Sequence, residues 1–191
     1  MQEPSEALIL GIDTTGPVDN VALARGEHVV ASLSRRHAPM SSRPLLRLID
    51  VLCAQAQCAL TDVTALAVNV GPGAFTGLRV GLATAQGLAV AYGKPLVGCT
   101  AFEALLTLVP GWQGDLCPVV QARKGEVYAA LYHMDGDPLT AVEKLPGMVV
   151  APEALCAMIH ERTLFFGSGV TAYRTGPLYT SDAADELTRR A

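Results

Sequence analysis

One pattern restricts this chain more than any other: a three-strand opening followed by alternating helices and strands, which then begins again. Residues 7–12, 20–24 and 29–33 are short apolar runs separated by turn residues, and they read as a three-strand meander. Asp13-Thr14-Thr15-Gly16-Pro17 and Arg25-Gly26-Glu27 supply the turns. Leu45, Leu46, Ile49, Leu52, Cys53 and Ala56 recur at helical spacing to about Gln57, with Ser41 or Ser42 as the cap and Pro44 in the first turn. A strand over 65–70, a helix over 76–92, a short strand over 96–98 and a helix over 101–108 capped by Thr100 complete the first block. After the Pro/Gly break at 110–114 the pattern restarts, with strands over 116–121, 127–133 and near 142–144, a helix over 152–161 and a strand over 164–166. A meander followed by alternating strands and helices predicts an α/β fold of mixed sheets with helices on both faces. The expected division is a lobe over 1–110 and a second, incomplete lobe over 111–177, which stops where its next helix should begin.

The 191 residues suffice for one ordinary domain or two small ones with a real core. Half the residues are hydrophobic and only 17% are charged, against roughly 25% in an average soluble protein. That balance argues against disorder and predicts surface covered by a partner. The formal charge is −4 with no long basic run, so a large nucleic-acid footprint is not expected. A membrane span is not expected either, since no run of about 18 unbroken apolar residues occurs. The acidic start lacks the basic segment and cleavage site of a signal peptide. The five cysteines, Cys53, Cys58, Cys99, Cys117 and Cys156, are odd in number and include no Cys-x-x-Cys. They read as reduced thiols in a cytoplasmic protein.

The strongest local signal is Gly71-Pro72-Gly73-Ala74-Phe75-Thr76-Gly77-Leu78-Arg79-Val80-Gly81, a glycine-rich stretch between a strand and a helix. Such a stretch can aim backbone N–H groups at an anion, or it can be a structural tight turn. It matches neither the P-loop nor the dinucleotide fingerprint. Asp13, Thr14, Gly71, Gly73 and Thr76 are the candidate anion or nucleotide residues. On the following helix Gly77, Gly81, Ala85 and Ala89 fall four apart on one face. A smooth face admits close helix approach, either from a partner protein or from within the same domain. Arg123, Lys124 and Glu126 form a polar turn between two second-block strands. His28, His37, His133 and His160 include no i, i+4 pair, so no histidine metal site is expected. No catalytic constellation is recognisable.

Taken in order, these motifs resemble the TsaB (YeaZ) family, the partner subunits of the bacterial tRNA threonylcarbamoyladenosine-forming complex. The resemblance rests on Ile9-Leu10-Gly11-Ile12-Asp13-Thr14-Thr15, Leu45-Leu46-Arg47-Leu48-Ile49, the 71–81 block, Ala85-Gln86-Gly87-Leu88-Ala89, Pro95-Leu96-Val97-Gly98, Ala122-Arg123-Lys124-Gly125-Glu126-Val127-Tyr128 and Gly167-Ser168-Gly169. It implies two RNase H-like lobes of the actin-like (ASKHA) superfamily and a non-catalytic scaffold without the metal site of its catalytic paralogue TsaD. It also implies pairing with TsaD through first-lobe helices, with the ATPase TsaE joining the pair. The expected partner interface is Gly77, Gly81, Ala85 and Ala89 together with Leu45 and Leu46. A homodimer would use the same face, and tRNA would be met only through the complex. No tightly bound cofactor is implied, and a nucleotide would sit at the complex interface. The alternative is an enzyme in its own right, an actin-like ATPase or metal-dependent peptidase using Asp13 and the 71–81 loop.

The chain departs from the family pattern at Ser41-Ser42, where members usually carry His-Ser or His-Thr, and at Gln121, where they carry Asp; His37 lies upstream. Residues 178–186 resemble the translation of a sequencing-library adapter, so 178–191 are expected to be a non-native tail.

Overall fold

The computed structural model describes residues 7–36 and 44–173. The Ser41 or Ser42 cap, His37 and the 178–191 tail lie outside the described residues. The chain forms two compact units that divide between Thr100 and Ala101.

In the first unit β1 (Leu8–Asp13), β2 (Val18–Arg25) and β3 (His28–Arg36) form the meander. They are followed by α1 (Pro44–Gln55), β4 (Ala65–Asn69), α2 (Phe75–Tyr92) and β5 (Leu96–Cys99). The sheet order is β3-β2-β1-β4-β5. Strand β1 is central: it pairs antiparallel with β2, Leu10 opposite Leu23, and parallel with β4, Leu10 level with Leu66. Alternation along β1 places Leu8, Leu10 and Ile12 on one face. There they meet Val21, Leu23, Leu66 and Val68, the inner side of α1 (Leu45, Ile49, Leu52, Cys53) and Ala85 of α2. Both helices of this unit therefore cover the same sheet face. Helix α2 ends where the sequence predicts, because Gly93 adopts the left-handed conformation (φ 61°) that closes a helix C-terminus.

The second unit comprises α3 (Ala101–Leu106), β6 (Gln113–Gln121), β7 (Val127–Asp135), β8 (Val142–Val150), α4 (Pro152–Met158), β9 (Thr163–Phe166) and α5 (Ser168–Ala172). Its sheet order, β8-β7-β6-β9, repeats β3-β2-β1-β4, with β6 taking the place of β1. Successive β6 residues serve opposite faces. Leu116 packs with Phe102 and Leu106 of α3, Tyr132, Met134 and Leu164. Cys117 and Val119 pack with Val127, Ala129 and Leu155 of α4, with Val170 of α5 alongside. Helices thus flank both faces of this sheet. Two repeats of one strand order, each an antiparallel meander continued by parallel strands, are RNase H-like lobes of the actin-like kind.

Three expectations shift. The lobe boundary lies before α3 and not at the Pro/Gly break at 110–114, because Phe102 and Leu106 are core residues of the second sheet. Strand β8 runs to Val150, beyond the expected 142–144. It is an edge strand, where the missing N–H of Pro146 is tolerated, and Gly147 leaves room for the Phe102 ring, which an added Cβ would meet at 2.8 Å. Helix α4 ends at Met158, short of the expected 161.

Candidate functional site

The β1–β2 turn and the loop after β4 meet in the first lobe, and Asn69 joins them. Its Nδ2 donates to Thr15 Oγ1 at 3.4 Å and its Oδ1 accepts from the Gly71 N–H at 2.8 Å. Asp13 Oδ1 accepts from both the N–H and the hydroxyl of Thr15, at 2.9 and 2.7 Å. The Thr15 carbonyl in turn accepts from the Ala74 N–H at 2.7 Å. Thr14, Thr15 and Asn69 are all buried. Asp13, Thr14, Gly71 and Gly73 lie around this turn and loop, and the N–H groups of Gly71, Ala74 and Thr15 have acceptors inside the protein. Thr76, at the start of α2, is exposed. Asn69 was not singled out from the sequence; its role depends on two segments distant along the chain becoming neighbours.

The glycine stripe of α2 is filled from the same turn. Thr14 Oγ1 donates to the Gly77 carbonyl at 2.7 Å. A Cβ on Gly77 would overlap the Thr14 carbonyl oxygen, and one on Gly81 would overlap Thr14 Oγ1. A Cβ on Gly73 would lie 2.6 Å from Thr15. Gly77, Gly81 and Ala85 are buried, and Ala89 packs on the first-lobe core. The predicted interface stripe is therefore internal: close approach is between α2 and its own lobe. Leu45 is likewise a core residue, whereas Leu46 is exposed.

What α2 turns outward is its opposite face. Thr76, Val80, Ala83, Gly87 and Val90 are exposed and fall at helical spacing in one row. Phe75 and Tyr92 are exposed at its two ends. Arg79 is the sole charged residue of the helix and lies 5.3 Å from the centroid of the Phe75 ring. The absence of other charges from the helix was the sequence signal for this face. On α1, Leu46 and Val51 also face outward.

The second lobe carries a separate polar cluster. Buried Asp115 on β6 meets His133 Nδ1 at 2.7 Å and Lys144 Nζ at 2.7 Å. Lys144 also reaches Glu161 at 3.1 Å, and His133 Nε2 lies 3.4 Å from Asp135. Burial pushes the Asp115 carboxyl up, but hydrogen bonds from Lys144 and His133 outweigh it and hold it below the usual carboxylate value. Donating to Asp115 in turn raises His133 above its ordinary 6.5 and raises Lys144. A raised histidine stabilises the fold below its unfolded value and ceases to do so as pH climbs through its folded one. A depressed carboxyl stabilises above its unfolded value, here 3.8, and that contribution is lost as pH falls through the folded one. Melting temperature is thus expected to be highest between these limits and to decline above pH 6.5 in the wild type. The His133→Gln variant should lose most of that alkaline decline when melts are compared across pH.

The turn between β6 and β7 is closed by residues of the second lobe. Arg123 Nε donates to Glu126 Oε2 at 2.5 Å, and the Gly125 N–H donates to Tyr173 Oη at 2.9 Å. Arg123 and Glu126 pair with each other on an exposed hairpin. Among the described residues no three His, Cys, Asp or Glu gather to hold a metal, and no helix is long and apolar enough to cross a membrane.

A family model described as TsaD, tRNA N6-adenosine threonylcarbamoyltransferase, matches residues 32–157. The tRNA threonylcarbamoyladenosine biosynthesis protein TsaB of Escherichia coli (strain K12) is 35% identical over 159 residues, which is 81% of this chain and 65% of that protein. The protein of the same name from Bacillus subtilis (strain 168) is 30% identical over 128 residues, 65% of this chain and 54% of that one. The chain thus spans less than two thirds of these relatives. The solved structure of YeaZ from Pseudomonas aeruginosa superposes with a TM-score of 0.73 at 26% identity, covering 90% of this chain and 80% of that one. Fold and site together define a two-lobed RNase H-like protein of the actin-like superfamily, with a glycine loop tied by hydrogen bonds to the β1–β2 turn of its own lobe. Within that class the chain belongs to the TsaB (YeaZ) family.

Proposed function

We propose that this chain is a non-catalytic, cytoplasmic subunit that supports threonylcarbamoylation of the tRNA adenosine beside the anticodon. It does so by holding a TsaD-like threonylcarbamoyltransferase against the outer face of α2 and α1, and a TsaE-like ATPase joins the pair. The observation that carries the proposal is the outward row of α2, apolar or small from Val80 to Val90 on a helix of 18 residues with one charge. A solvated helix face is ordinarily charged, and an uncharged apolar row of this length marks a surface that a partner covers. The choice of partner rests on kinship. The family model that matches this chain bears the transferase's description, so a transferase of the same lobe architecture offers equivalent helices, and like faces pair well. In isolation the same face would pair two copies of this chain.

The scaffold role is supported by the closed loop. The N–H groups of Thr15, Gly71 and Ala74, donors that could have faced a phosphate, are engaged within the lobe. No tightly held cofactor enters this reading; a nucleotide would sit where the subunits meet, and tRNA would be bound by the complex. The test is co-purification of the full chain with the cognate TsaD-like subunit, together with measurement of the modified nucleoside in tRNA when this gene is depleted. Stable co-purification and loss of the nucleoside are expected. An unpaired chain and unchanged tRNA would overturn the proposal, and nucleotide hydrolysis abolished by Asp13→Ala would favour the ATPase reading.

A further inference from the structure

Helix α1 ends in a way that brings two cysteines together. The Cys58 N–H donates to the Cys53 carbonyl at 3.0 Å, and the Gln57 N–H donates to the Ala54 carbonyl at 3.2 Å. Gln57 is the one non-glycine residue with positive φ, 53°, among the described residues. Crossed bonds of this kind around a left-handed residue form a Schellman cap, in which the side chains five apart at its two ends touch. Here those side chains are both thiols, and the Cys58 side chain lies within hydrogen-bonding reach of the Cys53 thiol. A disulfide needs α-carbons about 4.4–6.8 Å apart, and a direct backbone hydrogen bond is a local device that brings residues five apart into that neighbourhood.

We propose that Cys53 and Cys58 form a peroxide-sensitive dithiol that closes to a disulfide across the C-terminal cap of α1. The two sulfurs have different tasks. Cys53 is buried in the first-lobe core, and burial pushes its thiol up to about 11, which keeps it protonated and out of reach of solvent. Cys58 is half-exposed and meets the oxidant. Its thiolate attacks one oxygen of hydrogen peroxide; the O–O bond breaks, hydroxide leaves, and Cys58 becomes a sulfenic acid. The Cys53 sulfur then attacks the Cys58 sulfur, the S–O bond breaks, and the hydroxyl leaves as water with the Cys53 proton. Two thiols and one peroxide give one disulfide and two waters. The product staples the last turn of α1 to the segment leading into the 3-10 turn at Leu60–Asp62.

The test uses the full reduced chain treated with hydrogen peroxide, digested with trypsin without reduction, and analysed by mass spectrometry. Cleavage after Arg47 and Arg79 leaves both cysteines, and no other, in one peptide covering residues 48–79. In the wild type that peptide is expected to lose two hydrogens and its reactivity toward alkylating reagents, with full recovery on reduction. In Cys58→Ser, Cys53 should remain alkylatable after the same exposure. In Cys53→Ala, Cys58 should proceed to sulfinic acid, which reduction does not reverse. Wild-type peptide that stays reduced, that carries sulfinic acid, or that is joined only to another chain or to Cys117 or Cys156 overturns the proposal. Both variants alter the contact between the two thiols, and unchanged melting of Cys58→Ser reports that the fold is intact.

Discussion

Gly77→Ala is expected to destabilise the protein by about 3 kcal/mol or more, the range of severe core overpacking. The methyl group would occupy the position of the Thr14 carbonyl oxygen, and a backbone atom of a buried turn cannot rotate away as a flexible side chain can. Moving that turn would also break the Thr14 Oγ1 bond to the Gly77 carbonyl and the Thr15 bonds to Asp13 and Ala74. Gly81→Ala should be milder, about 1–3 kcal/mol, because the clash there is with the Thr14 hydroxyl; the side chain can turn, at the loss of a buried hydrogen bond. Gly87 provides the contrast. Nothing lies within 4 Å of a Cβ added there, so Gly87→Ala should stabilise the helix by up to about 1 kcal/mol. Thermal or urea unfolding of the three variants measures the series. A Gly77→Ala protein that melts with the wild type would show that α2 does not need this close approach.

Gly77, Gly81, Ala85 and Ala89 also mark how far the sequence could be read. Their four-residue spacing specifies a smooth face but not what covers it, and within one lobe Thr14 fills the space that a partner helix was expected to fill. The outward row was harder to recognise. Valine, alanine and glycine at helical spacing resemble core residues until the other side of the helix is known to be buried. The central strands were legible because alternation at Leu8, Leu10 and Ile12 is a local property, as was the end of α2, fixed by Gly93. The lobe boundary was not: Phe102 and Leu106 mark an amphipathic helix without saying which sheet receives it, and the Pro/Gly break that follows is only a loop. Strand β8 continues past 142–144 through Pro146 and Gly147, which interrupt periodicity but are harmless on an edge strand. Asn69 and the Asp115 cluster join segments far apart along the chain, so no local window could contain them.

The largest functional effect is expected from Ala83→Glu. Ala83 is exposed midway along α2, between Val80 and Gly87, so the free chain has room for the longer side chain and should fold and melt as before. In the proposed complex the carboxylate would be removed from water among apolar groups; Arg79, one turn away, is the one cation of α2, and pairing with it would break its contact with the Phe75 ring. Burying a charge costs several kcal/mol even when it is paired, and about 3 kcal/mol corresponds to roughly a hundredfold in affinity. Titration calorimetry with the cognate TsaD-like subunit should therefore show at least that loss for Ala83→Glu, and less for Leu46→Glu, which stands on α1. The choice of residue matters, because Gly81→Glu would disrupt the Thr14 turn and abolish binding through misfolding. Ala83→Glu that folds normally and binds with wild-type affinity would remove α2 from the interface, whereas Ala83→Glu that folds normally and fails to bind separates partner contact from the internal packing of the same helix.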